Sequence, residues 1–310
     1  MKKLPTVTIG LAAHNEEETI VQLLESIVAQ KQTGYVLAKV QIECDGCTDK
    51  TVEVARAYAD RLPIVVHDNH DRKGQAARLN TIYASVETDI FVGTDADVVF
   101  ESPHTLSELL KPFMDPEIML VGGNDLPTTP TNFIERSIAV YEYCWKDIVA
   151  QLPDHANVHN LPGRLHAARK SYILSVQIPA KIFAHDHYLF LNAKKHNLKT
   201  AYADDAVARD RMPNNLADYI SQTTRFIDTG RDIEDYFGQW SEQFYVIPGK
   251  YKLIAYVRSL KRYHVYFLSS VILQIIQRVA GKIHPHSIKK GYFTEVASSK
   301  IPAVSAKEHI

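Results

Sequence analysis

Strands alternating with helices along the first hundred residues predict an α/β fold, built on a mostly parallel central sheet with helices on both faces. Three observations carry this prediction: short apolar runs separated by helix-length segments, carboxylates placed directly after those runs, and a basic C-terminal stretch without acidic residues that predicts a helical extension.

Residues 7–13 are short and apolar and read as a first strand rather than a signal peptide, the run after Lys2 and Lys3 being broken by Pro5 and Thr8. Asn15 is placed to cap a helix with Glu16, Glu17 and Glu18 in its first turn, and Ile20, Leu23, Leu24, Ile27 and Val28 follow at helical spacing. Residues 36–42 form a second strand, and Thr48 or Asp49 caps a helix through Val52, Ala55 and Tyr58. A strand at 64–66, a helix at 75–86 and a strand at 90–93 continue the alternation. The pattern then loosens into a helix at 104–114, a strand at 118–121, a long helix at 132–150, polar loops, and helices at 187–196 and 215–232.

At 310 residues there is room for one large domain plus an extension, and 45% hydrophobic with 23% charged residues excludes disordered and fibrous classes. Three cysteines argue against a disulfide scaffold and for a reducing compartment. The net charge of −1 conceals an asymmetry, because residues 243–294 hold nine cations and no acid. Residues 1–242 are therefore read as an acidic main domain, 243–294 as a basic amphipathic extension and 295–310 as a loosely ordered tail.

Thr94-Asp95-Ala96-Asp97 directly follows an apolar strand. Two carboxylates two positions apart on an extended chain point the same way and repel unless a cation compensates them. A hard divalent ion bound to phosphate oxygens suits that need; an acidic solvated turn is the plainer alternative. Cys44-Asp45-Gly46-Cys47-Thr48-Asp49 also follows a strand, so Asp45 is a candidate for contacting a base or ribose, and Asp49 for starting a helix. Arg72-Lys73-Gly74 opens a helix, where Lys73 beside backbone N–H groups could meet a diphosphate.

The stretch Leu11-Ala12-Ala13-His14-Asn15-Glu16-Glu17 resembles the opening of the family 2 glycosyltransferases. CDGCTD is similar to their DDGSTD, KGQAARLN to their glycine- and lysine-led helix start, and TDAD to their metal-binding D-x-D. His185-Asp186-His187 resembles the segment that supplies their catalytic base, and Gln222-Thr223-Thr224-Arg225-Phe226 their Q-x-x-R-W. The matches fall in the family's order across residues 7–230.

This resemblance implies a GT-A fold and an inverting single displacement. Asp186 would be the catalytic base. Asp95 and Asp97 would hold Mn2+ or Mg2+ at the leaving diphosphate. Ala12, Glu16, Asp45, Lys73, Asp95, Gln222 and Arg225 would bind the nucleotide sugar, a UDP-sugar being the expected donor. Gly163, Arg164 and Phe226 would face an acceptor, a saccharide or lipid-linked saccharide in polysaccharide or glycolipid synthesis. His185 stands where the family has Glu, which makes Asp204 or Asp205 the alternative base, and Phe226 stands in place of Trp.

Other features weigh less. Cys44-x-x-Cys47 has the spacing of a redox pair, but small half-buried thiols account for it. The histidines between 155 and 187 lack a metal-ligand spacing and are expected to be solvated or acceptor-facing. The most apolar part of the extension, residues 265–276, is too short to cross a bilayer. Two readings of the extension stand: binding of an anionic membrane surface through 250–290, or packing on the acidic body with its cations solvated. The first places the protein in the cytoplasm, peripheral on the inner membrane. No nucleic acid is expected as a partner.

Among rival functions, nucleotidyl transfer lacks its Gly-rich loop and dinucleotide oxidoreduction lacks G-x-G-x-x-G after any strand. A non-catalytic binding subunit of the same fold, or a sugar transferase acting on polyprenyl phosphate, are the alternatives that stand.

Overall fold

The computed structural model describes residues 3–153 and 156–283, the side chains of 224–231 and 281–283 excepted. The expected tail at 295–310 lies outside the described residues, as do the side chains of Arg225 and Phe226.

The chain builds an eight-stranded sheet in the order β3-β2-β1-β4-β7-β6-β8-β5. Its first half is the expected alternation: β1 (Thr6–Ala13), β2 (Val36–Asp45), β3 (Ile64–Asn69) and β4 (Ile90–Thr94), all mutually parallel. Val7, Ile9 and Leu11 of β1 are buried on one face and Thr8 and Gly10 on the other, as required of a strand covered on both sides. The linking helices are α1 (Ile20–Val28), α2 (Thr51–Arg56) and α3 (Gln75–Ala84).

Beyond Thr94 come β5 (Val98–Phe100), α4 (Thr105–Leu110) with a 3-10 turn at Lys111–Met114, β6 (Ile118–Pro127) and α5 (Phe133–Ala150). There follow β7 (Leu165–Arg169), α6 (Lys170–Ile173), α7 (His185–Lys195), β8 (Lys199–Asp210) and α8 (Leu216–Phe237). β7 runs antiparallel to both β4 and β6, and β5 antiparallel to β8, so the sheet is mixed at that side.

This topology collects chemistry at one edge. The carboxyl ends of β1, β2, β4, β6 and β8 open on the same side, and antiparallel β7 begins there, with Thr94 opposite Leu165. Asp45, Asp95, Asp125, Arg164 and Asp210 therefore converge although 165 positions separate the first from the last.

Two glycines make close crossings possible. A Cβ on Gly93 would lie 2.3 Å from the His166 ring, and one on Gly122 would lie 1.8 Å from the Asn160 carbonyl oxygen. The first lets a histidine pack across β4; the second lets residues 158–161 pass over β6.

One apolar core forms around α1, α2, α4 and the sheet, with Leu23, Leu24, Ile42, Val92 and Leu106 buried in it. A second covers the other face through Ile82, Tyr83, Phe91, Tyr172, Leu189 and Phe190. Each such side chain removed from water contributes about 1.5–3 kcal/mol. The extension is two helices, α9 (Gly249–Tyr263) and α10 (Val265–Ile283), broken at His264, whose φ is 47°. Ala255 and Phe267 pack against Val140, Cys144 and Ile148 of α5.

Several local expectations are corrected. Asn15 does not cap α1: it adopts a left-handed φ of 53°, its side chain accepts from the Thr48 N–H at 2.9 Å, and the helix starts at Ile20 after a turn over Glu16–Thr19. Asp95 and Asp97 lie in a turn between β4 and β5, not on an extended strand. β5, β7 and β8 were not foreseen.

Candidate active site

Asp45 ends β2 and is almost fully buried. Its Oδ1 accepts from the Lys73 N–H at 2.8 Å and Arg78 Nε at 2.7 Å; its Oδ2 accepts from the Gly74 N–H at 2.8 Å. A carboxylate so committed fastens the start of α3 to the sheet. Arg78 extends the anchor to Asp71 at 2.8 Å, and Lys73 Nζ lies 2.9 Å from the same carboxylate. Asp71 is held down to about 2 by its bonds from Arg78 and Lys73. Lys73 itself remains largely exposed above the start of α3.

From α3, Gln75 Nε2 donates to Asp95 Oδ1 at 3.0 Å. Burial raises the Asp95 carboxyl and the charge of Asp97 adds to the rise, opposed by His185 and Arg164. This is the signature of neighbouring carboxylates short of positive charge. The oxygen donors of Asp95 and Asp97 fit a hard divalent cation, which would relieve that shortage; among the described residues no set of three or more acidic, His or Cys side chains is grouped to hold a metal alone. On β1, Ala12 is partly buried, and Glu16 Oε2 just beyond accepts from Thr19 Oγ1 at 2.7 Å.

Arg164 is the cation of the site. It reaches Asp125 at 3.1 Å and Asp210 at 3.0 Å, while its carbonyl accepts from Thr94 Oγ1 at 2.9 Å. Lys146 of α5 pairs with the other oxygen of Asp125. Burial alone would raise Asp125, but Lys146 and Arg164 hold it below the usual range. Burial pushes Asp210 up to about 7 against the pull of Arg164, with Asp125 and Asp97 adding to the rise. Burial raises Glu142, on the same face of α5, and the charge of Asp125 adds to it. Arg164 thus sits among the buried carboxylates at this edge of the sheet, with Gly163 next to it in the chain. Asp125, Glu142, Lys146 and Asp210 were missed, because no local pattern links them.

Asp186 begins α7, and its Oδ1 accepts the His187 N–H at 2.9 Å. Burial opposes its ionisation, yet His187, His185 and that N–H hold it below the ordinary range. Asp186 and Asp95 lie close enough that the charge of one raises the other. A Cβ on Gly163 would come 3.0 Å from the His185 ring and 3.6 Å from Asp186 Oδ2, so the Gly163 loop lies directly against the candidate base. Asp204 and Asp205, the alternative bases, are exposed on β8.

Of the histidines between 155 and 187, His155 lies outside the described residues, and His159 and His187 are half-buried. His166 and His185 are buried, and the ring nitrogens of His166 have no hydrogen-bond partner. Burial pushes His166 down to about 4 and, with His187 adding, His159 to about 3. Rings of Trp145, His159, His187 and Tyr245 pack edge to face, and Tyr245 Oη lies 3.1 Å from His187 Nδ1. Gln222 is half-buried on α8. Cys44, Cys47 and Cys144 are free thiols.

The family model described as "Glycosyltransferase like family 2" matches residues 5–229. A poly-beta-1,6-N-acetyl-D-glucosamine synthase from Staphylococcus aureus is 29% identical over 124 residues, covering 39% of this chain and 29% of that protein. A 4,4'-diaponeurosporenoate glycosyltransferase from the same species is 34% identical over 110 residues, covering 34% of this chain and 28% of that protein. The chain thus spans under a third of these curated relatives. Among solved structures, a mannosyltransferase from Pyrobaculum calidifontis in complex with GDP-Man and Mn2+ superposes with a TM-score of 0.58 at 19% identity, covering 93% of this chain and 78% of that one. Staphylococcus aureus TarS gives 0.52 at 14% identity, covering 84% and 73%. These likenesses establish the GT-A fold.

Proposed function

The chain belongs to glycosyltransferase family 2, and from that premise we propose that it is an inverting transferase moving a sugar from a nucleotide diphosphate to an acceptor hydroxyl. One observation carries the reading: a carboxylate pair in need of positive charge and an ionised, buried carboxylate lie together at the carboxyl edge of the sheet.

Asp95 and Asp97 would hold Mn2+ or Mg2+, which when bound supplies charge stabilisation to the departing diphosphate. Ala12, Glu16 and Lys73 border the nucleotide, with Lys73 free to lean from Asp71 to a phosphate. Asp45 acts by fixing the turn that carries Lys73. Asp186 takes the proton of the acceptor hydroxyl as that oxygen attacks the anomeric carbon; the sugar–phosphate bond breaks and its electron pair leaves with the nucleoside diphosphate. Gly163, whose missing side chain lets its loop lie against His185 and Asp186, would border the acceptor. Gln222, Arg225 and Phe226 on α8 would close over donor and acceptor. A saccharide or lipid-linked saccharide is the acceptor class, and a reducing cytoplasmic setting suits the three free thiols.

The test is a screen of UDP- and GDP-sugars by thermal shift and hydrolysis, with and without Mn2+ or Mg2+. A metal-dependent gain in stability that Asp97→Ala removes supports the reading. If wild type and variant bind none of the donors and hydrolyse none, it fails.

A further inference from the structure

The extension is folded inside out. In α10 the polar side chains turn towards the protein: Ser269 Oγ meets Ser137 Oγ of α5 at 2.6 Å, Gln274 Nε2 donates to Tyr219 Oη of α8 at 2.7 Å, and Ser270 is buried. The outward positions are apolar and recur at helical spacing: Val265, Leu268, Ile272, Ile275 and Val279, each at least half exposed. In α9 the small residues Ala255 and Ser259 are buried while Leu253, at 66% exposure, Val257 and Leu260 face out. A helix facing water has the opposite arrangement.

Charge identifies what covers this face. The exposed cations of the two helices are Lys250, Lys252, Arg258, Lys261, Arg262 and Arg278, and no acidic residue occurs from 243 to 294. Of these cations only Arg258 is ion-paired among the described residues, with Asp147 of α5 at 3.0 Å. Apolar stripes on helices that carry cations and no acid match acyl chains beneath anionic headgroups. Residues 284–310 lack that complement, since their lysines outnumber their glutamates. No helix among the described residues is long and apolar enough to cross a membrane, and the inner side of α10 is already taken by α5 and α8.

We infer that α9 and α10 form a monotopic seat that lies in an anionic bilayer surface with its apolar stripes inserted. Both seat helices rest on α5, the helix that brings Lys146 to Asp125, so the catalytic edge and the seat share one rigid element. On the transferase reading above, this assigns the acceptor to sugars carried on a membrane-embedded lipid.

Flotation of the full chain with phosphatidylcholine vesicles carrying about 30% phosphatidylglycerol tests the seat without any donor. Wild type floats with these vesicles and not with pure phosphatidylcholine. Lys252→Gln/Lys261→Gln/Arg262→Gln weakens partition roughly fivefold per cation, and added salt does the same. Ile272→Glu/Ile275→Glu abolishes flotation while leaving the unfolding midpoint and donor hydrolysis in solution unchanged. No flotation of wild type, or flotation untouched by the glutamate pair, overturns the inference. So does a dimer in light scattering that the glutamate pair dissolves, which would make the face a contact between copies. Flotation without donor binding would sink the transferase reading alone. Loss of transfer to a vesicle-embedded acceptor in the glutamate variant, with donor hydrolysis intact, supports the assigned acceptor class; unchanged transfer refutes it.

Discussion

Replacing Arg164 by Met tests the charge balance of the site. The guanidinium bridges Asp125 and Asp210, whose side chains are 12% and 5% exposed. Methionine keeps much of the packing volume and removes the charge. Asp125 retains Lys146, but Asp210 loses the only ion pair it makes among the described residues. Breaking one partner out of a buried pair costs about 3–5 kcal/mol, less whatever the stranded acid recovers by taking a proton. Asp210 already sits near 7 in the folded chain, far above an unfolded aspartate. With the folded pKa raised, the folded state holds a proton that the unfolded state has released; the stability linked to Asp210 is full below about pH 4 and is lost as pH rises through 7. Arg164→Met moves that loss further. In metal-free buffer, urea unfolding should show a deficit of about 3 kcal/mol at pH 8 that shrinks towards pH 5. A deficit below about 1 kcal/mol, or one independent of pH, would refute the reasoning.

Asp45→Asn turns one acceptor oxygen into a donor facing either an N–H or Arg78, so unfolding should cost about 2 kcal/mol less and amide exchange at residues 73–75 should quicken. Gly93→Ala should destabilise by about 2–3 kcal/mol, and adding His166→Ala should recover part of that loss in a double-mutant cycle, because the ring is what the new methyl strikes. His159 and His166 have depressed folded values of about 3 and 4, so the unfolded chain gains protons first as pH falls below 6.5, and their contribution to stability declines towards pH 4, by about 3 kcal/mol for His166. Because Asp210 contributes with the opposite sign over this range, the decline is read as the urea-unfolding difference between wild type and His166→Asn, and a difference unchanged from pH 7 to 4.5 would contradict it. Asp186→Asn should abolish transfer while leaving metal-dependent donor binding within about twofold, measured by calorimetry.

The parallel half of the sheet was legible because β1 and β4 are short, mainly apolar runs and β2 carries Val36, Leu37, Val40 and Ile42 before ending on Asp45, with helix-length segments between them. β7 was hidden: its buried His166 and terminal Arg169 look like loop residues until Gly93 and Gly122 are seen making space beside it. β8 is rich in charge because its exposed stretch carries Asp204 and Asp205, so no strand-like apolar pattern marks it. Asp95, Asp97 and Asp186 were singled out by motif reading, and the fold brings them near one another. The Asp125, Lys146, Arg164 and Asp210 network was not, since it joins β6, α5, a loop and β8 and exists only once the sheet is assembled. Asp45 also carries a role that no motif shows: its hydrogen bonds fasten the start of α3 to the sheet.

The exchange of Glu for His at position 185 has a chemical consequence for the candidate base. An acidic neighbour would raise the Asp186 carboxyl and make it a stronger base that is more easily lost to protonation. Here His187 and His185 hold it low, against its burial. Asp186 is therefore ionised throughout the working range but is an intrinsically weak proton acceptor. A weak base suffices where the leaving group departs readily, because the acceptor hydroxyl then gives up its proton late in the displacement. On the proposed mechanism the demand shifts to the other side of the site, where Asp95 and Asp97 would hold the cation whose charge makes the diphosphate a good leaving group. The crowding of carboxylates around Arg164 and the low-lying base are thus two halves of one arrangement, and weakening the first should cost more turnover than strengthening the second could restore.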